Sequence, residues 1–115
     1  MIKLAVTAFL AVSALYSAPL RVAIVGLEHG HVTGFLNGGS ALVPAGGALH
    51  RPDVEVVGIV EPRRDLFDSY ARRLHLSTDL YFANITDMIA KVHPDAALVF
   101  TSTFGHTAAV EECAR

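Results

Sequence analysis

The sequence predicts an α/β domain on a doubly wound parallel sheet, and three observations carry that prediction. Apolar runs stand at Val22–Val25, Val54–Val60 (broken by Glu55 and Gly58) and Ala96–Phe100, as in strands covered on both faces. Segments of helical spacing separate the runs, which implies crossover connections and therefore parallel pairing. The first run ends abruptly in the turn Gly26-Leu27-Glu28-His29-Gly30-His31. A strand, glycine turn and helix start in that order set backbone N–H groups where a dinucleotide pyrophosphate can be held.

Residues 1–18 stand apart from this pattern. Met1-Ile2-Lys3 gives a short positive start, and Leu4 to Tyr16 is an uncharged run of mostly small and aliphatic residues. That is the layout of a secretory signal peptide, and the run is shorter than the roughly 20 residues of a membrane span. Export to the periplasm or the exterior is the expectation. The domain is accordingly read from residues 19–115.

After the first strand, the stretch from Asn37 to Gly47 is too rich in glycine for a helix and reads as an inserted loop. A helix follows the second strand: Leu66, Phe67, Tyr70, Ala71 and Leu74 share one face, leaving Arg64, Asp68, Arg72 and Arg73 to solvent. A short strand is expected near Leu80–Phe82. The next helix is marked by Ile85, Met88, Ile89 and Val92, capped by Asn84 and stopped by His93-Pro94. A last helix is expected from near Gly105 into Cys113 and Ala114.

Composition narrows the function. A chain of 115 residues makes one domain of ordinary core size. Nine Lys and Arg against eleven Asp and Glu, dispersed along the chain, form no basic stripe for nucleic acid. A single cysteine, Cys113, excludes a disulfide framework or a multi-cysteine metal site and reads as a small packing residue.

An ordered set of motifs goes further than any one of them. The Gly26 turn is followed by Gly58-Ile59-Val60-Glu61-Pro62, by Tyr81 with Ile85-Thr86-Asp87-Met88-Ile89, by His93-Pro94-Asp95-Ala96-Ala97-Leu98-Val99, and by His106. Over about Leu20 to Arg115 this resembles the N-terminal, Rossmann-like domain of the Gfo/Idh/MocA oxidoreductases. The resemblance implies NAD or NADP as cofactor and a carbohydrate-like substrate such as a sugar or polyol. It also implies a second, C-terminal substrate domain, through which homo-oligomers could form, and a catalytic lysine in a Glu-Lys-Pro segment falling just after Arg115. No catalytic residue is therefore assigned within the chain, and on this reading the fragment alone is inactive.

The candidate cofactor-binding residues are Gly26, Leu27, Glu28, His29, Gly30, Glu61, Arg63, Thr101, Ser102, Thr103 and His106. Gly26 serves the turn with or without a ligand. Glu28 and His31 stand where the full G-x-G-x-x-G fingerprint has its second and third glycines. A carboxylate ~5 Å from a phosphate charge costs about 3 kcal/mol at an effective dielectric near 20, unless it turns away or caps backbone donors. His29 reads as a polar contact at the turn, and an H-x-H pair without further ligands makes no metal site. Glu61, after the second strand, is placed to accept from an adenosine ribose, favouring NAD; otherwise it is a solvent-facing turn carboxylate. Arg63 and Arg64 either pair with a 2′-phosphate or start a helix in solvent. Thr101, Ser102, Thr103 and His106 follow the last strand, where open α/β sheets bind ligands; the alternative is helix capping by Thr103 or another hydroxyl. The resemblance brings this segment along the nicotinamide. Two function classes follow: an exported NAD(P)-dependent oxidoreductase, or a non-catalytic small-molecule-binding module on the same fold that has lost dinucleotide affinity.

Overall fold

The computed structural model describes residues 17–38 and 46–115. The expected export segment, apart from its last two residues, and the middle of the glycine-rich loop lie outside them. Strand β1 (Leu20–Val25) leads into α1 (His31–Asn37), and after a 3-10 turn at Ala48–His50 come β2 (Val54–Val60) and α2 (Arg64–Leu74). A second 3-10 turn, Thr78–Leu80, precedes β3 (Tyr81–Phe82), and α3 (Ile85–Val92), β4 (Ala96–Val99) and α4 (Thr103–Cys113) complete the order. The four strands form one sheet in the order β3-β2-β1-β4, every pair parallel. The predicted class and all four strands are therefore present. The differences lie at the ends: Phe100 falls outside β4, Leu80 belongs to the 3-10 turn, and α4 begins two residues before Gly105.

Successive residues of β1 face opposite sides of the sheet, and this alternation divides the core in two. Val22 and Ile24 join Val32 and Leu36 of α1 and Phe67 and Tyr70 of α2. Ala23 and Val25 join Ile85 and Met88 of α3, Phe82 and Ala109. With helices on both faces and no water for either, the continuous apolar run of β1 is explained. In β2 the register with β1 shifts, Val22 pairing with Val56 and Ala23 with Gly58, so that Val57 bulges. Gly58 is then required by packing, since a Cβ there would stand 2.9 Å from Met88 Cγ.

Local chemistry ends each element. Asn84 Oδ1 accepts from Asp87 N–H at 2.9 Å and caps α3 as predicted. The exposed His75 and His93 close α2 and α3 in the left-handed conformation at φ 55° and 44°, a role usually taken by glycine. At the amino end of the sheet Asp95 accepts from Arg21 N–H at 2.9 Å, while Arg21 donates to His93 O at 2.9 Å. These bonds pin the start of β4 to β1. Cys113 packs against the second core, and burial pushes its thiol above the ordinary range.

Phe67 is fully buried, with its ring 4.9 Å from that of Tyr81. Replacing a buried Phe by Ala leaves a cavity and costs about 3–5 kcal/mol. Phe67→Ala is expected to lower the urea-unfolding free energy by that amount, and a loss below about 1 kcal/mol would contradict this core assignment.

Candidate functional site

In the order β2-β1-β4 the chain reverses direction across the sheet at β1, so the carboxyl ends of β1 and β4 flank a topological switch point. The glycine turn after β1 and the segment after β4 meet there. Gly26 has φ +87°, and a Cβ on it would stand 2.8 Å from Thr101 Cγ2 and 2.9 Å from Thr101 N. The glycine is thus demanded twice, by backbone conformation and by the close passage of the β4 segment. Gly26 N–H donates to Val60 O (2.8 Å), His29 N–H to Phe100 O (3.0 Å) and Phe100 N–H to Val25 O (2.7 Å).

Glu61 sits beneath this turn, 1% exposed, and is the buried charged residue among those described. Its Oε2 accepts from Leu27 N–H at 2.9 Å and its Oε1 from Arg63 N–H at 3.0 Å. Two backbone donors satisfy a charge that would otherwise be costly to bury. The solvent-facing alternative for Glu61 is thereby corrected, because the apolar Leu27, 1% exposed, draws the turn down over the carboxylate. Arg63 and Arg64 are each paired locally, with Asp65 at 3.2 Å and Asp68 at 2.9 Å. Arg64 also lies 4.5 Å from the centre of the Tyr81 ring. The Arg63 guanidinium is held above its ordinary range by its hydrogen bond and attraction to Asp65 and, less strongly, by the charges of Glu61 and Glu28.

Glu28 does not stand free in the turn. Its Oε2 accepts from Ser102 N–H at 3.0 Å, tying the β1 turn to the β4 segment across the switch point. Of the hydroxyls expected to cap α4, Thr103 or another, Ser102 does so: its Oγ accepts from Gly105 N–H at 3.4 Å. A hydroxyl at residue 102 can reach the third N–H of a helix starting at Thr103, and the expected start near Gly105 had hidden that spacing.

A cleft of about 550 Å³ opens between the two segments, with His29 and His31 on one wall and Phe100, Thr101, Thr103, His106 and Thr107 on the other. Its size suits a small-molecule site. The His29 and His31 rings meet edge to face at 4.5 Å, and His31 N–H donates to His29 Nδ1 at 3.3 Å. Among the described residues no group of three His, Cys, Asp or Glu could hold a metal ion. A second hollow of about 250 Å³ lies on the α3 and α4 side, lined by Gly26, Pro62, Asn84, Ala109 and again Thr101. Thr101 Oγ1 is buried without a hydrogen-bond partner among the described residues.

The structure thus brings the turn Gly26 to Gly30 against the segment Thr101 to His106, with His29, Thr101, Thr103 and His106 lining the larger cleft. It turns Glu61 inward and leaves the Arg63 side chain exposed beside Asp65. Sequence reasoning did not foresee the unpartnered Thr101 hydroxyl, which depends on where separate segments come to rest; at Gly30 a Cβ would meet nothing within 4 Å. Comparison of the chain with protein-family models, with curated proteins and with solved structures finds no match.

The two turn glycines therefore differ in kind. Gly26→Ala is expected to cost about 2 kcal/mol or more from left-handed strain and overlap with Thr101. Gly30→Ala, with φ −58° and ψ −22°, is expected within about 1 kcal/mol of neutral, as conformation-compatible Gly→Ala changes are. Chemical denaturation of both variants checks this; equal losses would refute it.

Proposed function

We propose that this chain is the dinucleotide-binding domain of an NAD-dependent oxidoreductase acting on sugars, polyols or related compounds. The observation that carries the reading is the glycine turn at the β1/β4 switch point, with Gly30 open to a close ligand and Thr101 Oγ1 unpartnered beside it. Neither feature serves the packing of the free protein. In the turn, the N–H groups of Gly26, Leu27 and His29 are engaged within the fold. Those of Glu28 and Gly30 have no partner among the described residues and are the donors proposed for the pyrophosphate. Glu61 sets a negative charge under the adenosine ribose position. Because Arg63 and Arg64 are already paired, that charge favours NAD over the 2′-phosphorylated cofactor. Thr101 to His106 line the nicotinamide end. When bound, the nicotinamide supplies hydride transfer, while the residues of this chain hold and orient it. The ordered motifs resembling the Gfo/Idh/MocA family support the same assignment.

Two observations favour the second reading, a binding module without dinucleotide affinity. Glu61 directs both carboxylate oxygens to backbone donors, and Glu28 bridges the crevice that the phosphates would cross.

Calorimetry with NAD and NADP separates the readings. NAD is expected to bind more tightly than NADP. Gly30→Ala is expected to weaken NAD at least about tenfold without loss of fold, and Glu28→Gln to tighten it about tenfold by removing the opposed charge. No NAD affinity in either the natural chain or Glu28→Gln would overturn the dinucleotide reading in favour of the module.

A further inference from the structure

We infer that Asn37-Gly38 is a self-modification site, at which the Asn37 side-chain amide is lost through a cyclic succinimide to leave aspartate or isoaspartate, with His50 as the hydrogen-bond donor that promotes the loss. The inference is independent of the dinucleotide reading above.

The chain has two asparagines, Asn37 and Asn84, and no glutamine, and the surroundings of the two are opposite. Asn84 caps α3: its Oδ1 accepts from Asp87 N–H at 2.9 Å, its Nδ2 donates to Asp87 Oδ2 at 2.8 Å, and the β-branched Ile85 follows it. Both ends of that amide are held, and a branched side chain crowds the next peptide nitrogen. Asn37 is exposed and ends the seven-residue helix α1. It is followed by Gly38, which has no side chain to shield its peptide nitrogen. The Gly38 N–H donates to Gly34 O at 2.9 Å, a bond of the last helical turn, where helices fray. Asn37 Oδ1 is paired with His50 Nε2 at 3.1 Å. An amide oxygen only accepts, so Nε2 carries the ring proton and donates it.

The chemistry needs only water besides the chain. The Gly38 nitrogen gives up its proton and bonds to Asn37 Cγ, the Cγ–Nδ2 bond breaks, and the proton leaves with that nitrogen as ammonia. Water then opens the ring at either carbonyl, giving aspartate or isoaspartate. As Cγ is attacked, Oδ1 gains negative charge, so the His50 donor is held more tightly in the transition state than before it and lowers the barrier. The same imidazole then meets the new carboxylate as a charge-assisted partner. His50 is set in place by the 3-10 turn Ala48–His50, its own N–H donating to Gly47 O at 2.9 Å. Isoaspartate adds a main-chain carbon beside Gly38, where a Cβ would already stand 2.5 Å from Gly47 N. The close crossing of Gly38 and Gly47 is then forced apart.

The test ages the full chain at neutral pH and physiological temperature. Peptide mass spectrometry locates the conversion of amide to acid, and an isoaspartate methyltransferase assay counts the rearranged product. Conversion is expected at Asn37 while Asn84 stays intact. His50→Phe is expected to slow it about fivefold, as loss of one exposed hydrogen bond would, and His50→Gln, which keeps a donor N–H, to retain most of the rate. Circular dichroism establishes that both variants keep the native fold. No conversion at Asn37, or equal conversion at Asn84, in the natural chain overturns the site whatever the variants do. A rate in His50→Phe equal to or above that of the natural chain overturns the role given to His50.

Discussion

One buried carboxylate governs the carboxyl edge of this sheet. An ion taken out of water costs several kcal/mol unless its oxygens find donors, and Glu61 finds them at Leu27 N–H and Arg63 N–H. That requirement fixes the path of the glycine turn above it and of the segment that leaves β2 beside it. Glu61 N–H also donates to Phe82 O at 3.0 Å, so the residue draws the ends of β1, β2 and β3 into one hydrogen-bonded unit. Gly26 then follows as a necessity, because a turn held this low passes against the backbone of Thr101 with no space for a side chain.

Most of the fold was legible because it rests on periodicity. The runs at Val22–Val25 and Val54–Val60 read as strands and are strands, and the spacing of Phe67, Tyr70 and Leu74 reads as a helix laid on a sheet and is one. Parallel pairing followed from their alternation. Boundaries were less legible where a cap decides them. Ser102 and Thr103 are equally good cap residues in sequence, and only the hydrogen bond to Gly105 chooses between them. Histidines ending helices in the left-handed region carry no sequence signal comparable to glycine.

For the candidate site, the meeting of its segments was legible in the sequence and their wiring was not. That Gly26 to Gly30 and Thr101 to His106 meet follows from strand topology alone. That Glu28 reaches Ser102, and that Glu61 faces inward, depends on side-chain geometry no spacing rule encodes. The resulting crevice has unequal walls. His29 and His31 of the β1 turn line one side of it and the hydroxyls and His106 after β4 the other, with Glu28 tied to Ser102 across the same switch point.

The two carboxylate ties also differ in how much chain they close. Glu61 and Leu27 are 34 positions apart, whereas Glu28 and Ser102 are 74 apart. Long-range closures cost more chain entropy and come later in folding than shorter ones. The β1–β2 half, with its glycine turn already braced, can therefore take shape before β4 is in place. The crevice cannot, since one of its walls is carried by β4 and α4, the last strand and helix along the chain. The cleft in this chain is consequently a property of the finished fold alone, and a partly assembled domain would hold the turn without it.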